Sequence, residues 1–180
     1  MVALGGRPMI AWPLAALRQA LGCVAVVAKP DTELPALPPG VDVWREPSAP
    51  THPLTGILEA LRRAEGRAVL VCAVDLQLID ATLVARLARA PAERAPAVVT
   101  VAAGRVQPLL ARYEPQALDG LRGAAPDAGL VATVLALGPA LLDVPSAALL
   151  NVNDREDLRR AEQAIGRWAG DDWGAAAPLG

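Results

Sequence analysis

RAVLVCAVDLQLID, residues 67–80, is the stretch whose reading decides the fold. It opens with an unbroken apolar run, 68–74, rich in valine and too short for an ordinary helix. Such a run predicts a strand buried on both faces, as in a parallel sheet covered by helices. The run stops at Asp75, and Asp80 begins an amphipathic segment whose first turn its carboxylate can cap. An acid at the carboxyl end of a central strand stands where open α/β sheets bind ligands. Asp75 is therefore the first candidate for a functional side chain.

Upstream, residues 53–65 (PLTGILEALRRAE) read as a helix, with Pro53 at its start and Gly66 just past its end. Before it come a strand at 41–44, a proline-rich loop at 31–40 and a strand at 23–28. Residues 8–21 carry Ile10, Leu14, Leu17 and Leu21 at helical spacing, with Pro8 suited to a first helical position and Pro13 allowing a later start. Downstream, the pattern predicts a helix at 81–90, strands at 97–102 and 106–113 turned through Gly104, and short helical patches within 119–138. The clearest helix is 154–168, with Asp154 at the cap and Leu158, Ala161, Ile165 and Trp168 on one face.

Alternating strands and helices predict a doubly wound, Rossmann-like α/β domain with a mostly parallel sheet over residues 1–168, followed by a flexible tail at 169–180. Domains of this kind open on a strand that runs into a Gly-rich phosphate turn. Here the opening segment reads as a helix, and Gly5-Gly6 runs straight into Arg7-Pro8 without the spacing of a phosphate loop. The expectation is a sheet whose first strand is missing, between the strands at 23–28 and 68–74.

Composition narrows the function classes. Of 180 residues, 53% are hydrophobic and 20% charged, which excludes a disordered chain. No apolar run approaches the roughly 18 residues of a membrane span, and no signal-peptide pattern is visible. A net charge of −2, with arginines scattered among acids, argues against a nucleic-acid surface. Cys23 and Cys72 fall in apolar strand-like runs and read as small buried hydrophobes. With two cysteines and the single His52, neither a zinc site nor a disulfide framework is expected, and the cytoplasm is the expected compartment.

Four motifs carry chemistry. Asp75 is either a turn former or the ligand of a hard cation; Mg²⁺ is typically held by one or two carboxylates plus substrate phosphates. His52-Pro53-Leu54-Thr55-Gly56 is either a plain helix start or a tight turn that brings N–H groups and Thr55 to a ligand, with His52 read as a solvated loop residue. Gln107-Pro108 places an amide before a rigid residue inside an extended segment. Asn151 and Asn153 alternate onto one side of an extended segment ahead of Asp154, as a turn or as a pair of neutral oxygen ligands.

LGGRPMI, PLTGILEAL, VDLQLID, QPLLARYEP and NVNDREDL occur in an order that resembles the molybdenum cofactor guanylyltransferase family, over residues 4–164. These are nucleotidyltransferases of the broader NTP-transferase, nucleotide-diphospho-sugar-transferase-like α/β fold. The resemblance implies transfer of GMP from GTP to molybdopterin with Mg²⁺, and transient contact with carrier or acceptor proteins of the cofactor. It implies that Asp75 binds Mg²⁺ beside the nucleotide phosphates, and that Pro53, Leu54, Thr55 and Gly56 line the nucleotide. It likewise implies that Gln107, Pro108, Asn151 and Asn153 face the second substrate. Three departures accompany it. Gln77 stands where the family has proline after the Asp, and only Glu46 is available for the acid that precedes the Pro-Leu-Gly loop. The cationic Gly-rich loop that holds the triphosphate has no counterpart, since LGGRPMI corresponds to the segment after it, so the polypeptide is expected to be inactive by itself. The alternatives are a cytidylyltransferase or other small-molecule nucleotidyltransferase, and a non-catalytic pterin- or partner-binding remnant.

Overall fold

The computed structural model describes residues 3–146 apart from 5 and 125–127. The chain opens on a short antiparallel hairpin, β1 (Ala3–Leu4) and β2 (Arg7–Pro8), with Gly6 at φ +76° in its turn. Helix α1 (Ala11–Ala20) follows. The helix expected over 8–21 thus starts three residues late, with Pro8 in an extended segment. A proline disfavours helical geometry in the residue before it, which suits Arg7 to a strand. Pro13 lies in the first turn of α1, where a missing N–H leaves no hydrogen bond unmade.

Strands β3 (Val24–Ala28) and β4 (Val41–Arg45) pair in parallel, and α2 (Pro53–Arg63) leads on to β5 (Val69–Cys72). Helix α3 (Ala81–Arg89) is capped by Asp80 as expected, its Oδ1 accepting from Leu83 N at 2.6 Å. Strands β6 (Ala97–Ala102) and β7 (Arg105–Tyr113) form a hairpin across Ala103 and Gly104, both at positive φ. Two short helices, α4 (Ala117–Arg122) and α5 (Leu130–Ala136), precede β8 (Ala140–Asp143). The sequence pattern had not announced β8. Its four residues alternate between half-buried and exposed, with Leu141 58% exposed, so the Ala140-Leu141-Leu142 run carries no apolar–polar alternation to mark it.

The larger sheet has the order β5-β7-β6-β8. β7 runs antiparallel to both neighbours and β8 parallel to β6, so β5, β6 and β8 share one direction and β7 alone is reversed. Alternate side chains sort to two faces, as the period of a strand requires. Leu70, Cys72, Val98 and Leu110 pack in one cluster with Ala16, Val84 and Leu87 from α1 and α3. Val69, Val71, Val99, Ala111 and Tyr113 pack in the other with Ile57, Leu61, Leu121 and Val134 from α2, α4 and α5. Arg112 ties α3 to the sheet, donating to the terminal carbonyls of Leu87 and Ala88 at 3.1 and 2.6 Å. The result is the helix–sheet–helix layering of an α/β domain.

Among the described residues no ladder joins β3 to β5. The hairpin β1–β2 forms a sheet of its own and fills neither edge. Helix α2 lies against β3, β4 and β5, and α1 against β3 and α3. Among the described residues the two sheets are therefore held by shared helices. The cost shows in the burial. β6 is buried at all but one position, whereas all four residues of β5 and the first four of β3 are only half-buried.

Two expectations are corrected here. Cys23 is exposed, ahead of β3. The strand expected over 68–74 ends at Cys72, because burial of Leu76 and Ile79 pulls the chain out of the sheet plane immediately afterwards. The segments 147–168 and 169–180, with Asn151, Asn153 and the helix expected at 154–168, lie outside the described residues.

Amides of β3 and β5 that do not point at β4 or β7 are expected to exchange with deuterium far faster than those of β6, whose two edges are both paired. Native-state hydrogen exchange checks this; protection in β3 and β5 equal to that of β6 would show that their free edges are covered.

Candidate functional site

The chain leaves β5 through one last sheet bond, Ala73 N to Leu109 O at 2.8 Å, and then turns at Val74 and Asp75. Leu76 and Ile79 anchor this turn in the core beneath α1 and α3. Gln77 is buried with them, its Nε2 donating to Val74 O at 3.1 Å while its Oε1 has no partner among the described residues. The proline that the resemblance led one to expect at this position is thus replaced by an amide that closes the same turn. The two acids of the segment differ in occupation. Asp80 is committed to capping α3. Asp75 is half-buried and makes no hydrogen bond or ion pair to a described residue.

An uncommitted carboxylate at a strand end is chemically apt for a hard cation. Among the described residues no three His, Cys, Asp or Glu side chains gather into a metal-binding group. The donor set therefore fits a Mg²⁺ shared between one carboxylate and a substrate's phosphates, and does not fit a closed cage of protein ligands. The neighbouring thiol supplies no nucleophile. Burial, reinforced by the charge of Asp75, pushes Cys72 up to about 12, so it stays protonated at neutral pH.

A second loop stands at the carboxyl ends of β3 and β4. Parallel pairing sets Ala28 opposite Arg45, so Lys29 and Glu46 leave the sheet side by side. The Lys29 ammonium donates to Pro47 O at 2.7 Å, Pro50 O at 3.1 Å and Thr55 Oγ1 at 3.3 Å, and pairs with Glu46 Oε1 at 3.5 Å. The Thr55 hydroxyl lies 2.5 Å from Glu46 Oε2 and 2.6 Å from His52 O. His52 caps α2, its Nδ1 accepting from Leu54 N at 3.2 Å, so the side chain expected to be solvated has a structural bond. Pro53 opens α2, and a side chain added at Gly56 would point at Glu46 Oε2, 3.5 Å away, and at Val27. The segment 46–56 is thus wrapped around one ammonium, and both Thr55 and Glu46 are spent on holding it. Lys29 had passed unnoticed in the sequence, where a cation that ends an apolar strand was its only signal.

Gln107 and Pro108 lie on β7 just beyond the point where Cys72 faces Leu110, alongside the turn that carries Asp75. Gln107 pairs in register with Thr100, and the ladder jumps from Ala111 to Gln107 between Val99 and Thr100. Residues 108–110 therefore bulge out of the hairpin, an arrangement that re-aims side chains next to functional sites. The Ala73–Leu109 bond thus sets the start of the Asp75 turn beside the bulge of β7.

The sequence pattern of the MobA-like NTP transferase domain matches residues 1–142. A molybdenum cofactor guanylyltransferase of Cereibacter sphaeroides is 34% identical over 169 residues, covering 90% of this chain and 85% of that protein. The fold is similar to that of 4-diphosphocytidyl-2C-methyl-D-erythritol synthase, with a TM-score of 0.73 at 15% identity over 91% of this chain and 92% of that one. It is also similar to a Mycobacterium tuberculosis protein solved in complex with manganese, with a TM-score of 0.65 at 16% identity over 91% of this chain and 90% of that one.

Because one ammonium collects so many acceptors, Lys29→Met is expected to destabilise the protein by about 1–2 kcal/mol. Faster amide exchange should be confined to residues 46–56. Exchange there as slow as in the wild type would show that the loop keeps its shape without the lysine.

Proposed function

This chain belongs to the MobA-like NTP transferase domain family of nucleotidyltransferases, and on that premise we propose that it transfers GMP from GTP to molybdopterin, releasing pyrophosphate. The observation that carries the reading is the 34% identity, across 90% of the chain, to the Cereibacter sphaeroides guanylyltransferase. The uncommitted carboxylate of Asp75 supports it. In the transfer, an oxygen of the molybdopterin phosphate forms a bond to the α-phosphorus of GTP as the bond to the bridging α–β oxygen breaks. The attacking phosphate is already anionic, so no side chain has to remove a proton.

Catalysis is then positioning and charge neutralisation. Bound at Asp75, Mg²⁺ would supply positive charge for the phosphate oxygens. The loop at 53–56 takes the nucleotide at the start of α2, with Gly56 leaving room for it. Gln107 and Pro108, with Asn151 and Asn153, take the acceptor. Cytidylyl transfer is the second reading, favoured by the likeness in fold to the diphosphocytidyl-methylerythritol synthase. Pyrophosphate release from GTP and from CTP in the presence of molybdopterin separates the two.

Asp75→Asn keeps the shape of the side chain and removes its charge. It is expected to lower kcat by about 10²–10³-fold, as loss of a single electrostatic contact to the transition state does. Melting temperature should stay close to the wild-type value, since no described residue depends on this carboxylate. Near-normal turnover of the variant would remove Asp75 from the site.

A further inference from the structure

Residues 108–110 of β7 have no opposite number on β6, because the register passes directly from Val99↔Ala111 to Thr100↔Gln107. Buried carbonyls outside a ladder need donors from elsewhere. Each of the three finds one. Pro108 O accepts from the Tyr113 hydroxyl at 2.8 Å, Leu109 O from Ala73 N at 2.8 Å, and Leu110 O from the Thr100 hydroxyl at 2.9 Å. Both hydroxyl-bearing side chains are fully buried, at 0% exposure. Burial also pushes the Tyr113 phenol well above its ordinary range, which keeps it a donor throughout the physiological range. The third donor, Ala73, lies two residues before Asp75. The bulge is thus pinned from beneath by two side chains and along its edge by the turn of the candidate site.

We propose that Thr100 and Tyr113 are positioning residues, whose hydroxyls hold the bulge so that Gln107 and Pro108 face the acceptor beside Asp75. The role rests on the reading of the chain as a nucleotidyltransferase to molybdopterin. Neither hydroxyl touches substrate; both act through the carbonyls of Pro108 and Leu110. Loss of either lets the bulge relax, which shifts Gln107 relative to Asp75 and leaves the 46–56 loop untouched.

The test uses the full chain with Tyr113→Phe, Thr100→Val and the hydroxyl-retaining Thr100→Ser. Misplacement of this kind is expected to raise KM for molybdopterin by about tenfold in the first two variants, with KM for GTP unchanged. Thr100→Ser should behave as the wild type. Independently of activity, the Ala73 amide should lose exchange protection in Tyr113→Phe and Thr100→Val, while amides of the β3–β4 pair keep theirs. Should Tyr113→Phe not fold, the comparison of Thr100→Val with Thr100→Ser carries both measurements. Equal rises in both KM values, a Thr100→Ser variant no better than Thr100→Val, or a fully protected Ala73 amide would each overturn the positioning role. A wild-type protein that transfers neither GMP nor CMP would instead overturn the functional reading, and with it the acceptor part of the proposal. The Ala73 amide would then still decide whether the hydroxyls hold the bulge.

Discussion

Everything in this fold depends on how the free edges of β3 and β5 are bridged. No backbone ladder joins them among the described residues, so their main chains give each other none of the directional hydrogen bonding that unites β5, β7, β6 and β8. What bridges them is apolar packing, chiefly from α2, which lies against β3, β4 and β5 at once. Ile57 and Leu61 share a core with Val69 and Val71. The hydrophobic effect is non-directional and tolerates such a gap where a hydrogen-bond ladder would not. The penalty is exposure, since apolar strands flanked by helices remain half-buried.

Against that uneven support, the three segments of the candidate site are each held by a different kind of interaction. The Asp75 turn is anchored by apolar side chains, Leu76 and Ile79, and closed by the cap at Asp80. The 46–56 loop is gathered by one ammonium. The β7 bulge is pinned by two buried hydroxyls. In each case the polar groups nearest the backbone are consumed in shaping the chain. Asp75 stands out because no described residue takes up its carboxylate. Glu46 and Asp80 are acids of the same region and both are already occupied.

Ligands of open α/β sheets bind outside the carboxyl ends of the strands. Lys29, Glu46 and Asp75 all follow such ends directly or within three residues. A nucleotidyl transfer between two anionic phosphates asks for positioning and positive charge more than for acids and bases, and the described site holds its Cys72 as an inert thiol.

Much of this was legible in the residues alone. The valine-rich run of β5, the Asp80 cap, the Pro53 start of α2 and the turn at Gly104 are local signals, each set by the conformational preferences of a few neighbouring residues. Asp75 could be singled out in the same way, from its place at the end of a strand. The occupation of the polar groups was not legible. Cys23 is exposed because its strand starts one residue later, and His52 is a cap because Leu54 N needs an acceptor. Lys29 organises residues 17 or more positions away only because β3 and β4 pair in parallel. The three-residue bulge exists because β6 and β7 slip register at Val99, and nothing in QPLLARY states that slip. The sequence by itself determined which segments become strands and helices, since those choices are local. Which carboxylates, ammonium and hydroxyls are taken up in shaping the chain was decided only by the tertiary structure, because hydrogen-bond partners are assigned between segments that meet only when the chain is folded.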